Sequence, residues 1–141
     1  MVRIPFWIEQ ALINLSGKIN VDYSVYLKMV HGISKPQKYP DAPWTNSVLK
    51  TQKDVRRAVL QVKDIGLPVR DDLPKNWDCL ATLDCILRNT DKNARIFDAG
   101  AELYSAVLPW LFLYGYNNLV GGNCTFRKKI SRGPIVYEHC D

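Results

Sequence analysis

Apolar residues recur at helical spacing through the middle of the chain and then gather into short unbroken runs near its end. Val55, Val59, Val62 and Gly66 fall three to four residues apart, which predicts one face of a helix. Thr51 stands at its start as an N-cap, and Asp54 lies in the first turn, where a carboxylate suits the positive end of the helix dipole. Gly66 and Pro68 supply the stop. A further helix is predicted from about Asn76 to Arg88, with Leu80, Leu83 and Leu87 as its apolar stripe and Trp77 and Cys79 near its start. Core packing is enough to explain both stripes. Upstream, Pro5 opens a predicted helix running to about Leu15, stopped by Ser16-Gly17, and a second is predicted from Asp22 to His31, stopped by Gly32. Pro36, Pro40 and Pro43 exclude a regular helix between Ser34 and Trp44.

The period changes after Asp91. Ala94-Arg95-Ile96-Phe97-Asp98 is a short apolar run that ends in an acid and is followed by Ala99-Gly100. Asn118-Leu119-Val120-Gly121 and Pro134-Ile135-Val136-Tyr137-Glu138 are two more. A hydrophobic helix, Ala106 to Tyr114, is predicted between the first two, with Ser105 as N-cap and Gly115 as stop. Pro109 then falls in the first turn, where backbone N–H groups lack helical partners anyway. Strand, helix and strand at this spacing make a parallel crossover unit. The predicted fold class is therefore α/β, a partial parallel sheet of three strands (residues 76–141) behind a helical N-terminal extension (residues 1–75). Residues 99–104 join a strand end to a helix, at the edge where open α/β sheets bind ligands.

Composition narrows the function classes. The chain has 141 residues, 47% of them hydrophobic and 23% charged, which suits a folded domain with a core. The net charge of +5 favours anions only mildly. Glu9, Gln10 and Asn14 interrupt the apolar start, so no signal peptide is read there. The longest apolar run, Ala106 to Tyr114, is far short of the ~20 residues that cross a bilayer. No membrane association and a cytoplasmic location are expected. Cys79, Cys85, Cys124 and Cys140 contain no Cys-x-x-Cys pair, so no metal site is predicted and four reduced, mostly buried thiols are expected. Arg127-Lys128-Lys129 with Arg132, near Phe126, forms a basic cluster. It reads as a solvated loop, with a nucleic-acid-binding module as the alternative that is not favoured.

Arg95-Ile96-Phe97-Asp98-Ala99-Gly100 resembles the first motif of class I S-adenosylmethionine-dependent methyltransferases: an apolar strand, an acid, one residue and a glycine. Residues 116–123 resemble the family's second strand, and residues 135–141 its third strand with the acid that follows. The resemblance covers about residues 76–141 and implies a Rossmann-like domain whose cofactor is S-adenosylmethionine. It implies that Gly100, after Ala99, lets the cofactor approach the backbone, and that Asp98 lies near the ammonium of its amino-acid end. Asn123 stands where the family holds the two ribose hydroxyls, 23 residues after Gly100. Asp141 stands where the family accepts a hydrogen bond from the adenine amino group. The resemblance also implies that the fourth and fifth strands and the acceptor site would follow Asp141. The 141-residue chain by itself would then bind the cofactor poorly and be inactive, with one open edge on the strand at 94–98.

Three positions depart from that family pattern. Glu102 and Tyr104 stand where two further glycines are common, and Glu102 is a candidate to meet the cofactor ammonium itself. Asn123 replaces the usual acid, which should weaken the ribose contact by ~1 kcal/mol and makes Asn123→Asp an expected neutral or improving change. A nicotinamide or flavin protein would need Gly-x-Gly-x-x-Gly at the first turn. Here Gly100 is followed by Ala101-Glu102-Leu103, and a carboxylate there repels a pyrophosphate. The methyl acceptor and any catalytic residue are not legible.

Overall fold

The computed structural model describes residues 36, 38–43, 48–103 and 105–140. The helices expected near residues 5–15 and 22–31, as well as Tyr104 and Asp141, lie outside the described residues.

Helix α1 spans Gln52–Asp64 and begins as its sequence requires. Thr51 Oγ1 accepts from the Asp54 N–H at 3.3 Å, while the Asp54 carboxylate accepts from the Thr51 N–H at 2.9 Å. This reciprocal capping box satisfies two otherwise orphaned donors. At the other end Gly66 takes φ +82°, a left-handed conformation that costs only glycine little. It lets the Gly66 and Leu67 N–H groups bond back to the Lys63 and Val62 carbonyls. Val55, Ala58 and Val62 form the buried stripe.

Helix α2, Lys75–Asn89, has no side-chain cap. Its entry is built by Asn76, which is fully buried. The Asn76 amide donates to the carbonyls of Arg70 and Leu73 at 3.1 and 3.0 Å, and its oxygen accepts from the Arg70 N–H at 2.8 Å. One buried side chain thus supplies the bonds that the turn at 70–73 cannot make with itself. Helices α1 and α2 pack together, and a single core cluster joins Ala58, Val62 and Leu67 to Leu80, Leu83, Trp110 and Tyr137. Residues 38–43 cross this pair as an irregular strap. Tyr114 OH donates to the Lys38 carbonyl at 2.6 Å, and Gln61 donates to the Asp41 carbonyl at 2.7 Å.

Strands β1 (Ile96–Ala99), β2 (Leu119–Gly122), β3 (Ile130–Arg132) and β4 (Ile135–Glu138) form one sheet in the order β1-β2-β4-β3. Helix α3, Val107–Leu113, connects β1 to β2 and packs on β2 and β4. Strands β1, β2 and β4 are parallel, with Ile96 beside Leu119 and Leu119 beside Ile135. The α/β class holds, and the three expected strands are present and parallel. The sheet is nevertheless mixed and four-stranded. Residues 130–132 turn back at Gly133 and pair antiparallel with β4, Arg132 opposite Ile135. That hairpin escapes the pattern because only Ile130 among the three strand residues is apolar.

A second correction concerns α3. Its N-cap is Ala106, with no side-chain bond, and Ser105 does not cap it. Ser105 Oγ accepts instead from the Glu102 N–H at 2.9 Å, closing the preceding loop on itself. Pro109 does fall in the first turn. Strand β1 is an edge of the sheet among the described residues, and Phe97 is 52% exposed there.

Candidate functional site

The site expected from the sequence lies at the carboxyl edge of the parallel strands, and the structure brings four of its residues to that edge. Gly100 takes φ +81°, a backbone turn that a side chain would strain, and nothing lies within 4 Å of where its Cβ would stand. The glycine is therefore required by the turn and leaves open space beside it. Its N–H donates to the Gly122 carbonyl at 2.7 Å, so the end of β1 is pinned to the end of β2. Ala99 is exposed just before it.

Asp98 precedes the turn and is half-buried. Burial pushes its carboxyl above the ordinary 3.8, because a low-dielectric surrounding disfavours the charged form. No hydrogen bond to this carboxylate occurs among the described residues to offset that cost. Cys79, in the first turns of α2, feels the Asp98 charge, although burial is the main cause of the upward shift of its thiol.

Asn123 occupies the end of β2, but its amide is spent within the protein. Nδ2 donates to the carbonyls of Ala101 at 3.1 Å and Gly100 at 3.4 Å. Oδ1 accepts from both the N–H and the hydroxyl of Thr125 at 2.9 Å. Two donors and two acceptor positions are the whole capacity of an amide. In this conformation Asn123 ties the loop after β1 to the turn after β2 and presents no free group to a ribose. Glu102 is half-exposed at the far side of the same loop, its backbone locked to Ser105 in both directions.

No family model, no curated protein and no solved structure matches this chain.

Several features of the edge were not legible in the sequence. Gly121 and Gly122 are packing glycines. A Cβ on Gly121 would stand 2.8 Å from the Tyr137 ring and 2.9 Å from Ala101 Cβ, and one on Gly122 would overlap the Phe97 ring and stand 2.7 Å from Cys140 Sγ. Two adjacent glycines in a strand are the only hint of such a close approach. Arg132 departs from the basic cluster in which the sequence placed it. It is 5% exposed, donates to the Leu103 carbonyl at 2.7 Å and lies over the Tyr137 ring, 5.6 Å from its centre. It therefore braces the loop after β1 from beneath. The cysteines are also less buried than expected: Cys85 and Cys124 are exposed and Cys79 and Cys140 half-buried, all four free. Among the described residues no three His, Cys, Asp or Glu side chains converge as metal ligands, and no helix is long and apolar enough to cross a membrane.

Proposed function

We propose that residues 76–141 carry the cofactor-binding part of a Rossmann-like, S-adenosylmethionine-dependent methyltransferase. The observation that carries the reading is the Asp98-Ala99-Gly100 turn. A glycine at φ +81° with open space beside it follows a half-buried carboxylate, at the carboxyl end of a parallel strand. That edge is where open α/β sheets take their ligands.

The chemistry suits a cationic ligand. Asp98 is held above its usual carboxylate range by burial, so a positive charge placed beside it recovers part of the desolvation cost. The ammonium of the amino-acid end of S-adenosylmethionine supplies such a charge, and Glu102 is the second carboxylate within the same loop. Gly100 would let the ligand approach the backbone. When bound, the cofactor supplies an electrophilic methyl group on a sulfonium, and the protein need mainly align the acceptor with it. Asn123 acts here as a positioning residue, holding the carbonyls of Gly100 and Ala101 in place. A pyrophosphate ligand is disfavoured by the same two carboxylates.

Titration calorimetry on the protein tests the reading. S-adenosylmethionine and S-adenosylhomocysteine should bind and NADH should not. Heat from NADH with none from either adenosyl ligand ends the methyltransferase reading.

A further inference from the structure

The outward face of helix α1 is rich in cations. Lys53, Arg56, Arg57, Leu60 and Lys63 are all exposed and recur at helical spacing, with Lys50 just before the helix. At 3.6 residues per turn these positions fall within about 120° of the helix surface, and Lys53 to Lys63 spans about 15 Å along the axis. Val55, Ala58 and Val62 occupy the opposite, buried side.

Acids neutralise this face only in part, Asp54 lying close enough to Arg57 to feel its charge. Asp54 is engaged by Thr51 in the capping box, and Asp64 is paired with Lys38 at 2.9 Å. Residues 50–64 hold five cations against two acids, Asp54 and Asp64, within a chain whose net charge is +5. Among the described residues no ion pair engages Lys50, Lys53, Arg56 or Lys63. The basic loop that the sequence singled out is weaker by comparison. Lys129 faces Glu138 at 3.9 Å and Arg132 is buried, which leaves only Arg127 and Lys128.

We propose that the outer face of α1 is a docking surface for the phosphodiester backbone of a nucleic acid, bound without sequence preference. Cations three and four residues apart on a helix stand about 5–6 Å from one another, a spacing that lets successive side chains meet successive phosphates. A membrane surface fits less well. The only large apolar side chain among these cations is Leu60, and the helix's apolar stripe is already buried in the core. The surface is independent of the cofactor reading and stands or falls without it.

Fluorescence anisotropy with a labelled 20-base-pair DNA duplex tests the proposal. With four phosphate contacts the affinity should fall about a hundredfold between 50 and 200 mM NaCl. K53Q/R56Q/K63Q should bind at least tenfold more weakly at 100 mM salt, and its salt slope should be flatter by about 2.7. The single change Arg56→Glu should also weaken binding, and a scrambled duplex should bind like the original. Circular dichroism should show both variants folded, since these side chains are exposed. Wild-type affinity and slope in K53Q/R56Q/K63Q would overturn the proposal. So would loss of binding in R127Q/K128Q with α1 intact, or binding to phosphatidylserine vesicles without binding to the duplex.

Discussion

The side-chain amide of Asn123 donates to the carbonyl oxygen of Ala101 across 3.1 Å, joining the loop that follows β1 to the end of β2. The consequence reverses what the family resemblance implies for this position. A carboxylate in place of the amide would face the carbonyls of Gly100 and Ala101 with no proton to give.

Asn123→Asp should therefore lower stability by roughly 1–3 kcal/mol at neutral pH, the cost of leaving polar groups unpaired. The loss should shrink in acid, where a protonated carboxyl can donate again. Urea denaturation at two pH values measures both. A variant as stable as the wild type would show that the amide does not hold the loop.

Asp98 makes a prediction with a definite sign. Its folded-state pKa lies above the unfolded value, so the folded protein binds more protons between the two. This group's contribution to stability is therefore fully present below about pH 3.8 and is lost as pH rises through the folded pKa. Asp98→Asn should raise the unfolding free energy at pH 7 and lose that advantage below pH 3.8. In the proposed cofactor complex the same change, or Asp98→Ala, should weaken S-adenosylmethionine binding by about 1.5–3 kcal/mol, the size of a charge-assisted contact. A substitution that stabilises the protein while weakening its ligand is the signature of a functional carboxylate. Weaker stability with unchanged binding would argue for a structural role.

The two glycines of β2 should respond unequally to an added methyl. At Gly121 the obstacles are Tyr137 and Ala101, both essentially fully buried, so neither can yield. Gly121→Ala should cost about 1–3 kcal/mol, the usual range for overpacking. At Gly122 the obstacles are the half-exposed Phe97 ring and the Cys140 side chain, and the ring can swing outward. Gly122→Ala should cost less, with Phe97 fluorine labelling reporting the movement. Equal losses in paired melting curves would refute the distinction.

Asn76 should be the most sensitive polar residue in the helical half. Asn76→Ala removes every bond its side-chain amide makes, including those to the N–H and carbonyl of Arg70. A loss of about 2–4 kcal/mol is expected from these unmade bonds. Amide exchange at the Arg70 N–H should accelerate in parallel. Slow exchange there in the variant would mean that the turn is held by something else.

The sequence by itself determined the elements whose causes are local. The capping box at Thr51 and Asp54, the stops at Gly66 and Gly115 and the apolar stripes of α1 and α2 each involve residues a few positions apart. Their spacing is visible in the chain, and the elements appear within a few residues of where the spacing puts them. The three parallel strands were legible for a related reason, since their short apolar runs stand apart from the helical spacing before them. What only the tertiary structure decided involves partners far apart in the chain. Strand β3 exists because residues 130–132 meet β4, and their own sequence hardly marks them as a strand. Arg132 is buried because it finds the Leu103 carbonyl and the Tyr137 ring, and Asn76 matters because the turn at 70–73 folds around it. Asn123 had to be seen in place as well. Its residue type suits ribose binding or loop bracing equally, and the choice rests on carbonyls 22 and 23 residues away. Hydrogen-bond capacity is a local property, but which groups fill it is settled only when the chain has closed on itself.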